Sequence, residues 1–198
     1  VLEAPLAAGL PWSQGCPPPA PGNHRLLLLA APDALPLLPA WLAERGGVLR
    51  WQQPQGSSRG GTLRELTWNH TTLHWRARNR GWTYLQLALP DPERPLLDAV
   101  RQHWGERVLW HLEIVRQGGA NRLTALPVVQ SEDAVALGEL MALSRHHGAS
   151  IADPHVLTVE DGGAGRVDAD QVAAKLAHDP AGLLNPGKLR GWTERGLG

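Results

Sequence analysis

His70 is the first candidate for chemistry, because it stands between the amide of Asn69 and the hydroxyls of Thr71 and Thr72. An imidazole titrates near neutral pH, so it can take the hydroxyl proton of an alcohol while a hydride leaves the carbon. An amide beside it can orient the reacting group by a hydrogen bond. We therefore predict His70 as a catalytic base and Asn69 as a catalytic orienting residue. The alternative is a histidine held by hydrogen bonds in a turn or strand.

His155 is a second candidate base. It follows Pro154, and the acidic residues Glu160 and Asp161 with two glycines come shortly after it. Because a proline ring fixes its own backbone angle and restricts the residue before it, His155 is predicted to project in a fixed direction from an extended segment. In the alternative interpretation, His155 ends a strand and Asp161 makes an ordinary turn.

Other charged and histidine side chains offer binding rather than proton transfer. Arg76 or Arg78 can pair with a substrate carboxylate through the two parallel hydrogen bonds of a guanidinium, so these two are the candidate substrate-binding residues. His111 near Glu113 is either a ligand or a half-buried histidine with its hydrogen bonds satisfied. The sequence has no paired histidine or cysteine spacing of a metal site, so no metal is expected.

The C-terminal residues 178–192, here called the hook, are rich in proline and glycine. This composition excludes a continuous helix. Pro186 should hold Asn185 in an extended conformation, and the glycine after it leaves the chain free to turn. Three leucines are expected to form a buried apolar side: Leu183, Leu184 and Leu189. The hook is therefore predicted to be rigid and packed against the rest of the protein.

Within the hook, residues 179–188 read Asp-Pro-Ala-Gly-Leu-Leu-Asn-Pro-Gly-Lys. This run resembles the C-terminal signature of FAD-linked oxidases and dehydrogenases of the vanillyl-alcohol oxidase type, the superfamily that includes the glycolate dehydrogenase flavin subunit. In that family the tail leaves the substrate (cap) domain and returns towards the flavin domain, near the isoalloxazine ring. The resemblance implies FAD as cofactor, with Asn185 and Lys188 facing the ring.

Two further stretches are similar to segments of the same superfamily: the Trp-Asn-His-Thr-Thr-Leu run at residues 68–73, and the Pro-His and Glu-Asp-Gly-Gly segments within 154–163. The resemblance implies a cap domain of an enzyme that oxidises an alcohol or a 2-hydroxy acid by hydride transfer to flavin. The sequence departs from the metal-dependent members, because it lacks their His-x-Gly-Asp-Gly-Asn-x-His zinc segment. That departure argues against a metal and against a close match to those enzymes.

The FAD-binding domain that such an enzyme needs is not in this sequence. Because the chain starts on Val1 with a proline-rich stretch, we expect it to come from a longer protein, or else to work beside a separate flavin subunit. Alone, it should bind FAD weakly or not at all. The alternative function is a non-catalytic ferredoxin-like module for small-molecule binding or assembly.

The elements that must position these residues follow from the apolar patterns and the turn residues. Strands are predicted at residues 25–31, 48–53, 83–89, 107–116, 122–130 and, as strand or extended loop, 150–160. Helices are predicted at residues 36–46, 91–105, 131–148 and 168–177. Two strand–helix–strand units result. The simplest architecture is an α+β fold: a ferredoxin-like antiparallel sheet with helices on one face, plus an irregular C-terminal tail.

Three parts of the chain are expected on this basis. Residues 1–23 form a proline-rich linker, residues 24–165 the ferredoxin-like cap domain, and residues 166–198 the C-terminal helix and the tail that returns towards a flavin domain. The 198 residues contain 19 basic and 19 acidic side chains, so neither a nucleic acid nor a membrane surface is an expected partner. Without a membrane-spanning apolar run or a signal peptide, a cytoplasmic location is predicted.

Overall fold

The structure is a computed structural model of the chain. It describes residues 3, 16, 20, 23–54, 70–131, 134–164 and 169–194, with the backbone alone at His70, Gly163 and Ala164. The chain divides into two compact units, Val1–Arg80 and Gly81–Gly198, and each is described by itself. The domain boundaries expected from the sequence, after residues 23 and 165, stay predictions.

In the first unit, helix α1 spans Leu38–Ala43. The strands predicted on either side of it, at residues 25–31 and 48–53, are wrong, because both stretches are irregular. Leu29 is 92% exposed and Val48 is 66% exposed. A strand is stable when a neighbour takes up its backbone hydrogen bonds and covers its apolar face, and no described strand pairs with either stretch.

Helix α2 covers His70–Arg78, where the sequence pattern was mixed and predicted neither helix nor strand. Thr71 and Thr72 are buried in its first turn. At its end, the main-chain N–H and the side-chain amide of Asn79 both donate to the carbonyl of Trp75, at 3.0 and 2.9 Å. The polar run that contains His70 therefore begins a helix and is not a strand.

The second unit holds the strands and the longer helices. Its strands are β1 (Trp82–Tyr84), β2 (Gln86–Ala88), β3 (Val108–Leu109), β4 (Leu112–Gln117), β5 (Ala120–Ala125), β6 (Val128–Gln130) and β7 (Ser150–Ala152). Its helices are α3 (Arg94–Trp104), α4 (Ala134–His146), α5 (Ala169–His178) and α6 (Arg190–Thr193), with a 3₁₀ turn at Gly105–Arg107 and a π-helical turn at Glu160–Ala164.

The strands form a three-stranded sheet in the order β1-β6-β3 and a four-stranded sheet in the order β4-β5-β2-β7, and every pair is antiparallel. Two backbone hydrogen bonds link the sheets where strands are interrupted. Leu85 N–H donates to Pro127 O at 3.1 Å, and Leu126 N–H donates to His111 O at 2.8 Å. Helices combined with antiparallel sheets confirm the predicted α+β class.

One core cluster joins the helices α3 and α4 to the strands. Its fully buried members include Leu96 and Val100 on one face of α3, and Val129 on β6. Leu140 of α4 is 2% exposed, and Leu137 and Met141 of the same helix pack partly buried against this cluster. Because the helices pack on this core, they hold the four-stranded sheet in place. The segment after β7 begins at the edge of that sheet.

The hairpin between β4 and β5 turns at Gly118 and Gly119, within the loop that the sequence predicted. Both glycines have positive φ angles, 57° and 81°. A two-residue hairpin of this kind needs positive φ at both central positions, and glycine adopts it at little steric cost.

Within the part of the chain that the structure describes, every helix is too short or too polar to cross a lipid bilayer.

Candidate functional site

A cleft of about 810 Å³ lies in the second unit, between the segment that follows β7, helix α5 and the hook. Its walls are mostly apolar. The larger apolar side chains that line it are Val156, Leu157, Val159, Leu184 and Leu189. The polar and charged residues that line it are Asp153, Thr158, Lys175, His178, Asp179, Asn185 and Lys188. A cleft of this size and character suits a small organic ligand.

The segment after β7 is folded back on itself by short hydrogen bonds. Asp153 N–H donates to Gly162 O at 2.7 Å. Gly162 allows this close approach, because a Cβ there would lie 3.1 Å from Asp153 O and 3.3 Å from Val156 Cγ2. β7 is therefore only three residues long. The rest of the stretch 150–160, which was predicted to be extended, forms one wall of the cleft.

His155 is exposed and sits at the start of this wall. Its main-chain N–H donates to Asp153 Oδ1 at 2.8 Å, so the aspartate closes a turn around Pro154. The imidazole packs edge to face on Tyr84, with ring centroids 4.6 Å apart. The predicted fixed direction of His155 thus has a structural basis in this turn and this ring contact, although the local backbone is a turn and not an extended strand.

Asp179 organises the start of the hook. Its Oδ1 accepts the N–H of Leu183 at 2.8 Å, and its Oδ2 accepts the N–H of Leu184 at 3.0 Å. Lys175, one turn earlier on α5, donates to Asp179 Oδ2 and to Leu184 O. The hydrogen bond from Lys175 and those from the two backbone amides hold the pKa of Asp179 below its usual value, against the opposing effect of burial.

The far end of the hook is attached to the opposite wall of the cleft. Val159 N–H donates to Lys188 O at 3.0 Å, and Gly191 N–H donates to Glu160 Oε1 at 3.1 Å. The guanidinium of Arg190 binds Asp161 and lies 3.3 Å from Thr158 Oγ1. This ion pair lowers the pKa of Asp161, the hydrogen bond from Arg190 being the largest cause.

Two details of the predicted hook are wrong. Leu183 and Leu184 are not buried, since they are 78% and 65% exposed, and the side chain that anchors the hook is Trp192, at 2%. Asn185 is not extended, because its φ is +46°. Asparagine is among the non-glycine residues that best tolerate this left-handed region, which offsets the preference that Pro186 imposes.

The cleft brings together some of the predicted site residues. Asn185 and Lys188 line it, and so does Pro154, the neighbour of His155. No described residue forms an ion pair with the Lys188 ammonium. Asp179 and Lys175, which build this wall, were not assigned a role from the sequence. The sequence feature that could have identified them is a lysine and an aspartate spaced four residues apart at the end of a predicted helix.

The remaining predicted residues belong to the first unit. Asn69 lies outside the described residues, as does the side chain of His70. Arg76 is half-buried and Arg78 is exposed, both on α2. Two residues apart on an α-helix, they project roughly 200° apart, so one carboxylate cannot face both. A single carboxylate could therefore pair with Arg76 or with Arg78 but not with both, and substrate binding by either stays a prediction.

His111 is a buried histidine with a partner. It is 1% exposed, and its Nε2 lies 3.3 Å from Glu113 Oε1. Burial lowers its pKa to about 4, so the imidazole is neutral at neutral pH. This arrangement agrees with the satisfied histidine that the sequence left open. Across the described residues, no three His, Cys, Asp or Glu side chains are grouped closely enough to hold a metal ion.

No protein-family model and no curated protein sequence matches this chain.

Proposed function

We propose that this chain is the substrate (cap) domain of a cytoplasmic FAD-dependent oxidoreductase that oxidises an alcohol or a 2-hydroxy acid by hydride transfer to flavin. The partner is an FAD-binding domain of the same protein or a separate subunit. One observation carries the proposal. The two stretches of the second unit that resemble this flavoenzyme superfamily, within residues 154–163 and 179–188, line the same cleft.

We propose that the cleft takes the ring portion of a flavin. Its mostly apolar walls and its volume of about 810 Å³ are compatible with a flat ring system that has one apolar and one polar end. Asn185 would bind a polar edge of the ring through its side-chain amide. Lys188 would place a positive charge beside it. When bound, the flavin supplies the hydride acceptor, and the protein supplies binding, orientation and electrostatics.

The roles of this chain's own residues follow from the predicted chemistry. His155, held by its turn and by Tyr84, accepts the hydroxyl proton of the substrate at an imidazole nitrogen, and His70 is the second candidate base with Asn69 as its orienting partner. Arg76 or Arg78 binds the substrate carboxylate.

For the fold, we propose a ferredoxin-like core at residues 82–152. The order of elements supports this proposal, since a strand, a helix, two strands of a hairpin, a helix and a final strand follow one another. The antiparallel pairing of β7 with β2, of β2 with β5 and of β5 with β4 supports it further. A cap domain of the proposed enzyme class has a fold of this kind.

The function is tested by producing the chain together with the coding sequence that adjoins it in the genome. We expect the purified protein to carry a yellow flavin chromophore that is bleached by a 2-hydroxy acid under anaerobic conditions. In stopped-flow measurements, His155→Asn should slow flavin reduction by about 10²-fold or more, because general base catalysis contributes about that much.

His103→Asn is the matched control. His103 is an exposed histidine on α3 whose Nδ1 lies 2.8 Å from Ala99 O. No residue of α3 lines the cleft, whereas both chain neighbours of His155 do. The replacement of His103 should leave the rate constant unchanged. A protein that binds no flavin, or one in which both substitutions leave the rate unchanged, contradicts the proposal and favours a non-catalytic binding or assembly module.

A further inference from the structure

We propose that Asp179 and Lys175 are positioning residues, which set the bend of the hook and so hold Asn185 and Lys188 at the wall of the cleft. The inference rests on the proposed function for what those two residues do there. The claim that Asp179 and Lys175 hold Asn185 and Lys188 in place rests only on the geometry of the second unit.

The Asp179 carboxylate fixes the first turn of the hook. It accepts the N–H groups of Leu183 and Leu184, at 2.8 and 3.0 Å, while its own carbonyl accepts the N–H of Gly182 at 2.9 Å. Three consecutive backbone amides are therefore tied to one residue. Hydrogen bonds to an ionised acceptor are roughly twice as strong as neutral ones, so this side chain contributes more than an ordinary turn residue.

Lys175 closes the same turn from the helix. Its ammonium donates to Asp179 Oδ2 and, at 2.7 Å, to the carbonyl of Leu184. It also lies 5.1 Å from the centre of the Trp192 ring. The side chains of Lys175 and Asp179 are 11% and 9% exposed, so each charge depends on the other. Removal of either partner leaves the other charge nearly buried and unpaired.

The turn at residues 179–184 determines where the next residues of the hook, which line the cleft, are placed. Leu184 precedes Asn185, whose φ of +46° starts the bend. The N–H of Lys188 donates to Asn185 O at 3.3 Å, and Lys188 O accepts the N–H of Val159 from the other wall. A shift of Leu184 therefore moves Asn185 and strains the two hydrogen bonds that hold Lys188, to Asn185 O and from Val159 N–H.

The experiment first measures amide hydrogen exchange by NMR in the 198-residue chain. In Asp179→Asn and Lys175→Met, we expect the amides of Leu184 and Lys188 to exchange about tenfold faster or more, since a charged hydrogen bond is lost. Lys175→Arg keeps a cation that can donate to both acceptors, and it should restore exchange to within about threefold of wild type.

The matched control is Asp98→Asn. Arg94 and Asp98 form an ion pair with the same spacing of four residues on α3, but their side chains are 80% and 63% exposed. Its loss should leave exchange in the hook unchanged, because exposed pairs contribute little. Unchanged exchange in Asp179→Asn would overturn the inference.

The second measurement separates positioning from general support of the fold. In the flavin-containing protein, Asp179→Asn should reduce the rate constant of flavin reduction about as much as Lys188→Met does, by about tenfold. Combined with Lys188→Met it should cause no further loss, because both substitutions remove the same placed ammonium. Two results would show that Lys175 and Asp179 do not act through Lys188. One is a double variant whose rate loss is the product of the two single losses. The other is a normal rate in Asp179→Asn when Lys188→Met is slow.

A wild-type protein that reduces no flavin contradicts the proposed function instead. In that case the exchange rate of the Lys188 amide still decides the inference: faster exchange in Asp179→Asn supports the positioning role, and an unchanged rate overturns it.

Discussion

Trp192 anchors the hook, and its replacement by alanine is the most direct test of how the cleft is held together. The side chain is 2% exposed in the short helix α6. The methyl group of Val172 on α5 lies nearby, since a Cβ added at the adjacent Gly191 would be 3.5 Å from Val172 Cγ2. A buried tryptophan removes about 150–250 Å² from water, which corresponds to about 4–6 kcal/mol at ~25 cal/mol per Å².

Measured losses for buried tryptophan replaced by alanine are about 3–5 kcal/mol, because the surroundings relax in part. The hook is terminal, so we expect the loss to appear as local detachment before global unfolding. At 1.4 kcal/mol for each factor of ten, local opening should become about 10²- to 10³-fold more frequent.

The assay is amide hydrogen exchange at Val159 and Gly191, whose N–H groups donate to Lys188 O and Glu160 Oε1 across the cleft. Both amides should exchange about 10²-fold faster or more in Trp192→Ala, while those of the central strand β6 change less. The control is Trp41→Ala, since Trp41 is 45% exposed on α1. A change of less than tenfold at Val159, or equal changes in both variants, would refute the anchoring role of Trp192.

Three further predictions concern single residues. Burial lowers the pKa of His111 from 6.5 to about 4, so the folded protein binds fewer protons than the unfolded chain between these values, and stability falls as the pH drops through this range. We expect the free energy of unfolding to fall by about 2 kcal/mol over this range, after allowance for solvent screening. The urea midpoint should therefore depend on pH in the wild type and in His103→Gln, but much less in His111→Gln. Identical pH profiles in the two variants would contradict the prediction. Gly162→Ala should destabilise by about 1–3 kcal/mol, because its Cβ would be 3.1 Å from Asp153 O, whereas Gly138→Ala in the open interior of α4 should stabilise by about 0.5–1 kcal/mol; urea denaturation of both variants checks the sign. Arg190→Met should speed exchange of the Gly191 amide severalfold at low salt and less at 1 M salt, because the ion pair with Asp161 is about half exposed and therefore screened; an effect that is independent of salt would argue against it.

Local signals explain why the second unit was largely predictable. Glycines with positive φ end α3 at Gly105 and follow α4 at Gly148, and two glycines make the β4–β5 turn. Each acts within a few residues, so the sequence alone identifies it. The apolar face of α3 also follows from its spacing, and Leu96, Val100 and Trp104 are indeed buried.

In the first unit, local patterns do not determine the structure. The leucine-rich run at residues 25–31 has the composition of a strand, yet its residues are irregular and several are exposed. Composition describes what a strand requires from its own residues, but a strand also needs a partner, which lies elsewhere in the chain. The sequence did not predict the helix at His70–Arg78, because its apolar residues do not recur clearly at the spacing of a helix.

For the candidate site, the sequence by itself determined a bent hook without a continuous helix that carries Asn185 and Lys188, because prolines and glycines act on the backbone where they stand. Which side chain anchors the hook, and which wall it faces, was decided only by the tertiary structure. Arg190 binds Asp161 and Gly191 binds Glu160 across about thirty residues of sequence, and Trp192 is buried in place of the leucines. Such contacts depend on how distant segments meet, and no local pattern specifies that.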